Sequence, residues 1–408
     1  MSEPSRAGFH IQPAKGWTND PNGMVFRDGR WHAFFQHNPA AAVHTDIHWG
    51  HVSSDDLVSW REHPVAFGPM PGGPDEGGCW SGVCVDLGDR VAAAYTGIVT
   101  SAVDSTVCVR YATDPDLDAW SDPVVVATAP GSGSGETPVR EMRDPFLFFW
   151  AGRRWAVLGA GLTDGTPALL LYSCDDLEAW RFERVWLTGA DPVLGALAPA
   201  EIWECPQLVE FDGSWALLVS LWRDNQLEHT VAAVGSMSTA LDGSPELSVR
   251  GGARIDDGRS LYAPQVALDP DGPWFLGWVM QVGDPGEVTE DAVAGCLTLV
   301  RRLRLDGDRV LSRVDARQAG VLGEPVVAEE GHLPAHAQVA ATGDAVTLRG
   351  NELSVTLQRG AEAWLDGEVL EVYPPDAPPR TYRDPGTAVW RLTEGAADAT
   401  VREVRPQR

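Results

Sequence analysis

Five hairpin-like stretches recur along the chain: Gly23–Gln36, Gly82–Gly97, Pro145–Gly161, Pro206–Ser220 and Ala263–Met280. Each is an apolar run, a turn such as Asp28-Gly29 or Asp212-Gly213, and a second apolar run, which is hairpin chemistry. Just before or at the start of these runs stand Asp20, Trp80-Ser81, Asp144, Glu204 and Tyr262, separated by 60, 64, 60 and 58 positions. A second signal keeps the same period: DDLVSW ends at Trp60, PDLDAW at Trp120 and DDLEAW at Trp180. The repeat predicts an all-β fold, with five similar units forming the blades of a five-bladed β-propeller. In such a ring, equivalent positions converge on the central axis, so residues far apart in sequence share one pocket.

The repeat ends near Arg313, after LTLVRRLRLDGDRVLSR. From about Val321 short alternating strands such as NELSVTLQRG take over, the pattern of a small β-sandwich. The expected division is therefore 1–315 for the propeller and 321–408 for the sandwich module. Helical periodicity is almost absent, apart from room for a short turn of helix within Ala190–Trp203. The Gly/Ser-rich stretch Ala129–Pro138 reads as a mobile loop inside a repeat. Trp60, Trp120 and Trp180, out of phase with the acids, read as core.

Charge narrows the partners. The formal net charge is −27, and Lys15 is the only lysine among 31 basic residues. Nucleic acid and anionic membrane would each require a basic stripe, so neither is expected. The six cysteines show no metal spacing, and no apolar run is long enough to span a membrane or act as a signal peptide. A soluble cytoplasmic protein with free thiols and no cofactor is the expectation. His10, His32, His37, His44, His48 and His51 cluster early, but their spacing fits no ligand set, so no metal is expected.

WTNDPNG (Trp17–Gly23), RDP (Arg143–Pro145) and ECP (Glu204–Pro206) could each be plain turn or strand-start chemistry. Together they differ: each sets an acid before Pro, directly or one residue on, at one phase of the repeat. Solvated surface acids have no reason to keep that register. Two carboxylates converging in an aromatic-rimmed pocket are what glycoside hydrolysis requires, and a third can stabilise developing positive charge.

With WGHVSSDDLVSW (Trp49–Trp60), CWSGVCV (Cys79–Val85) and YAPQ (Tyr262–Gln265), this motif series resembles family 32 of the glycoside hydrolases, from about Phe9 to Arg304. That is the β-fructofuranosidase family of invertases, levanases, inulinases and sucrose-6-phosphate hydrolases. The resemblance implies Asp20 as nucleophile, Glu204 as general acid and then base, and Asp144 as stabiliser of the transition state. It places Asn19, Gln36, Trp49, Trp80 and Ser81 around the fructose. Arg143 is expected to keep Asp144 charged, Trp203 to desolvate Glu204, and turn N–H groups to keep Asp20 ionised. Cys205 reads as a small buried neighbour of the acid, since no histidine is placed to activate it.

The implied substrate is sucrose or a short fructan. Sucrose 6-phosphate is an alternative, with Arg223, Arg259 and the early histidines as possible phosphate donors. Fructosyl transfer on the same scaffold and a non-catalytic carbohydrate-binding propeller are further readings, and oligomeric state is left open. Thr18, Ser260-Leu261 and Trp80 depart from the family's usual residues and bear on the surroundings of the fructose, not on the three acids.

Overall fold

The computed structural model describes residues 7–130, 139–281, 292–387 and 389–405. Of the expected loop Ala129–Pro138, residues 131–138 lie outside the described residues. Among the described residues the helices are four short 3-10 segments and one α-helical turn, Leu194–Leu197, inside the stretch where a turn of helix is expected. Everything else that is regular is strand, gathered into seven sheets. The fold is all-β.

Five sheets follow one another along the chain. Each opens with an inner strand: Gly16–Arg27, Gly78–Asp86, Val139–Trp150, Ile202–Phe211 and Leu261–Asp269. Each inner strand pairs antiparallel with the strand that follows, forming the five expected hairpins. Asp28-Gly29, Ala151-Gly152 and Asp212-Gly213 hold positive φ at both residues. That is the two-residue turn whose twist matches the flanking strands.

Each inner strand packs against the next, and the last against the first. Apolar layers fill the spaces between consecutive sheets. Phe34, Trp49 and Tyr95 lie between the first and second, and Trp155, Leu169 and Leu217 between the third and fourth. Met24, Trp31 and Trp274 lie between the fifth and the first. The recurring Leu57, Leu117 and Leu177 are buried, and Trp60, Trp120 and Trp180 pack half-buried on these layers. After the fifth hairpin, Val293–Ala294 pairs in parallel with Gly16-Trp17, covering the edge of the first sheet.

The remaining two sheets, of six and three strands, share a core that includes Leu348, Leu365 and Trp390. This unit is joined to the rest by buried charge. His10 sits between Asp366 at 2.7 Å and Glu371 at 2.8 Å. Arg301 bridges Glu371 at 3.1 Å and Asp256 at 2.9 Å.

Candidate active site

Every inner strand slips register at the same place. The slips fall between Thr18 and Pro21, Cys79 and Gly82, Arg143 and Phe146, Glu204 and Gln207, and Tyr262 and Gln265. Pro21, Pro145, Pro206 and Pro264 sit at or within these slips, where a missing N–H costs no ladder bond. Asp144, Cys205 and Ala263 adopt left-handed φ of 59°, 47° and 44°. A bulge of this kind re-aims side chains, and strained backbone of this kind persists where the surroundings over-determine it. The bulges turn the phase residues out of the ladder and toward the ring's centre.

Polar side chains of one sheet hold the bulge of another. Thr96 Oγ1 accepts from Asp144 N at 2.7 Å, Asp144 Oδ2 from Cys205 N at 2.9 Å, and Ser220 Oγ from Ala263 N at 3.1 Å. Gln265 closes the circle, accepting from Met24 N at 2.7 Å and donating to Gly82 O at 2.8 Å.

Asp20 is buried and receives Asn19 Nδ2 at 3.0 Å, Ser81 Oγ at 2.6 Å and Gln36 Nε2 at 3.1 Å. Cys205 Sγ lies 3.5 Å from both Asp20 Oδ2 and Asp144 Oδ2, so the two acids flank one thiol. Burial pushes the Asp20 carboxyl up to about 6; the bond from Ser81 pulls it down, the charge of Glu204 pushes it up, and Asn19 and Cys205 pull it down. Asp144 is raised by burial first and then by Glu204, with Arg143 pulling back. Burial holds the Cys205 thiol well above its ordinary value, so it is no nucleophile.

Glu204 is gripped on both oxygens, by Arg143 Nε at 2.9 Å and by Tyr262 Oη at 2.6 Å. Arg143 also bonds Glu141 at 2.6 Å. The structure thus brings Asn19, Asp20, Gln36, Ser81, Arg143, Asp144 and Glu204 to one place. It departs from the sequence reading in four respects. Arg143 places its hydrogen bonds on Glu141 and Glu204 and Asp144 takes the Cys205 amide instead, although the Arg143 charge still pulls the Asp144 carboxyl down as expected. The donors to Asp20 are side chains, not turn N–H groups: Asn19 beside it, Gln36 on the paired strand and Ser81 on the next sheet. Trp203 alternates to the opposite face, fully buried, with its indole on Ala198 O at 2.8 Å. Trp49 lies behind the pocket, fully buried, and donates to Trp80 O at 3.0 Å.

Tyr262 and Glu141 were missed as site residues. Tyr262 carried a signal, its place at the phase of the acids; Glu141 carried none. The early histidines separate. His10 joins the charged junction, and His44 stands beside Trp17 and Trp80. His51 meets His63 and Asp118 within metal-binding reach. Both rings already bond Asp118, and their other nitrogens bond His32 and Ser53. Of the suggested phosphate donors, Arg223 pairs with Glu228, and Arg259 is exposed.

An all-β ring that turns three carboxylates into one aromatic-edged pocket has the make-up of a glycoside hydrolase. The family model described as Glycosyl hydrolases family 32 N-terminal domain matches residues 10–313. The chain belongs to glycoside hydrolase family 32. It is 31% identical to the sucrose-6-phosphate hydrolase of Escherichia coli over 75% of this chain and 63% of that protein. It is 34% identical to the β-fructofuranosidase insoluble isoenzyme 4 of Oryza sativa subsp. japonica, over 76% of this chain and 54% of the relative. The chain thus spans less than two thirds of these relatives' lengths. The fold is shared with the sucrose-6-phosphate hydrolase of Lactobacillus gasseri. That match has a TM-score of 0.80 and 20% identity, covering 100% of this chain and 94% of that one. It is shared also with a Bombyx mori β-fructofuranosidase solved with sucrose, at TM-score 0.76 and 22% identity, covering 100% and 95% of the two chains.

Proposed function

We propose that this chain is a retaining glycoside hydrolase that removes terminal β-fructofuranosyl units from sucrose or short fructans. The observation that carries the reading is the unlike setting of Asp20 and Glu204 around one pocket. Asp20 is buried under side-chain donors, whereas Glu204 is held by Arg143 and Tyr262. Asp20 attacks C2 of the fructose while Glu204 delivers a proton to the departing oxygen. A water then loses its proton to Glu204 and displaces Asp20. Asp144, fixed by the Cys205 amide, accepts from ring hydroxyls and offsets positive charge as the glycosidic bond stretches.

The closed succession of inner strands supports reading residues 1–315 as a five-bladed propeller, and the two-sheet core supports reading 321–408 as a sandwich module. All six cysteines are free, in keeping with a reducing cytoplasmic setting. Among the described residues no helix is long and apolar enough to cross a membrane. Sucrose 6-phosphate is the second reading, supported by the likeness to the sucrose-6-phosphate hydrolase of Escherichia coli.

The test is to give the purified protein sucrose and quantify glucose and fructose separately, with Asp20→Asn as control. Equal release that the variant loses is the expected result, and glucose in clear excess indicates transfer instead. No release from sucrose, sucrose 6-phosphate, levan or inulin overturns the proposal. Glu204→Gln should lose least on substrates with good leaving groups; a uniform loss argues against its acid role.

A further inference from the structure

His32 and His51 belong to a cluster that the fructosidase chemistry does not use. The strand His48–Ser54 carries His51, and His63 follows the short strand Arg61–Glu62, with its N–H on His51 O at 3.0 Å. Asp118 comes from the next sheet, in the loop after Thr106–Tyr111. The His51 and His63 rings stack with centroids 4.1 Å apart and planes 26° apart. Both Nδ1 atoms point at Asp118 Oδ1, from 3.3 and 2.8 Å. The two imidazoles are buried, whereas the Asp118 side chain is 32% exposed, so solvent reaches the group from one side. Buried Leu117 and a 3.2 Å bond from Asp118 N to Asp114 Oδ1 fix the loop. Joining neighbouring sheets does not by itself require such a cluster. Glu178 holds the equivalent place in DDLEAW, and at that next junction it meets Tyr111.

We propose that His51 Nδ1, His63 Nδ1 and the Asp118 carboxylate bind a zinc ion, with solvent as the fourth ligand, and that the ion staples the first sheet to the second. Two imidazoles and a carboxylate are a zinc donor set. The three ligand atoms lie within 4.8 Å of one another. Zinc at about 2.0–2.1 Å from each ligand, in a tetrahedron, would set them about 3.3 Å apart. His51 already stands at that distance from Asp118, and His63 needs to withdraw by about half an ångström. Coordination through Nδ1 requires the ring proton on Nε2, and both Nε2 atoms have a partner able to accept it. His63 Nε2 meets Ser53 Oγ at 2.7 Å, and His51 Nε2 meets His32 Nδ1 at 3.0 Å. Both rings thus stay neutral and are oriented from behind, as metal-bound imidazoles require. The ligand set, its spacing, the partners behind it and an entry path past Asp118 are all present. The spacing of the early histidines fits no ligand set because His63 and Asp118 complete it from further along the chain.

The experiment takes the full chain, made without a histidine tag and stripped with a chelator, and titrates it with zinc and, as an optical probe, with cobalt(II). Wild type should take up one ion per chain, gain thermal stability with zinc, and show the intense visible bands of four-coordinate cobalt(II). His63→Gln and Asp118→Asn should each weaken zinc binding at least about 100-fold. Ser53→Ala, which removes only the partner behind His63, should weaken it about 10-fold, a loss that a purely structural role for Ser53 would not produce. Anomalous scattering from zinc in wild-type crystals should place the ion between the two rings and Asp118, and this measurement depends on no variant folding. A wild type that takes up no zinc, an ion located elsewhere, or affinity unchanged in Asp118→Asn overturns the site. None of these readouts involves turnover, so the site stands or falls apart from the fructosidase reading.

Discussion

Asp20 shows how one residue trades stability for chemistry. Its carboxyl is raised from 3.8 to about 6, chiefly by burial. The native fold therefore binds this proton more tightly than the unfolded chain does. Ionised Asp20 costs nothing below about pH 4, and the full penalty applies above pH 6. Asp20→Asn should lower kcat by at least about 10⁴-fold. It should also stabilise the protein at pH 7 by on the order of 1–3 kcal/mol, a gain that vanishes near pH 4. Chemical denaturation at the two pH values checks the sign; a variant less stable than wild type at pH 7 would contradict it. For wild type, the rate should decline as pH drops through about 6 if Asp20 is the nucleophile proposed above, because that role needs its carboxylate ionised. The phase of Asp20 is legible in the sequence. Its donors Gln36 and Ser81 come from another strand and another sheet, so their convergence on one oxygen is a property of the ring.

The inner hairpin strand is the element that repeats, and its two ends are read differently. The Asp212-Gly213 turn is announced by its residues, because φ of 46° and 85° suits Asp and Gly. A Cβ at Gly213 would meet nothing within 4 Å, so the cost of adding one is backbone strain alone. Gly213→Ala should cost about 1 kcal/mol and leave turnover unchanged, as thermal melts with a parallel sucrose assay will show. The bulge at the other end is announced only in part. The X-Pro pairs mark where the ladder breaks. Nothing local predicts that Cys205 and Ala263 take left-handed φ, since neither is a residue that favours it. The hydrogen bonds their N–H groups donate to Asp144 and Ser220 on neighbouring strands hold them there.

At the scale of the molecule, the junction with the C-terminal unit carries a buried charge cluster beside an apolar one in which Phe9 and Leu299 meet Trp364 and Tyr373. His10 has its two ring nitrogens on Asp366 and Glu371, and their bonds and charges raise it from 6.5 to about 9 against the opposing effect of burial. A raised histidine contributes stability that is complete below pH 6.5 and is lost as pH climbs through about 9. His10→Gln should therefore cost on the order of 3 kcal/mol at pH 6. The deficit against wild type should shrink above pH 9, measured by denaturant unfolding across that range. A deficit independent of pH would mean that packing, not charge, is what His10 supplies. The sequence shows a second β module but not this clamp, whose partners lie more than 350 positions apart.

Short-range patterns, namely apolar alternation, Asp-Gly turns and acids before prolines at a common phase, were enough to specify five hairpins, their repetition and the phase at which three acids stand. Each rests on backbone preferences or side-chain alternation within a few residues. The tertiary structure alone decided which groups surround those acids. Arg143 gave its hydrogen bond to Glu204 rather than Asp144, Trp49 and Trp203 turned into the apolar layers, Tyr262 joined the site, and His44 came to stand between two indoles. Those outcomes depend on how sheets close into a ring, and ring closure brings together residues whose local sequences carry no information about one another.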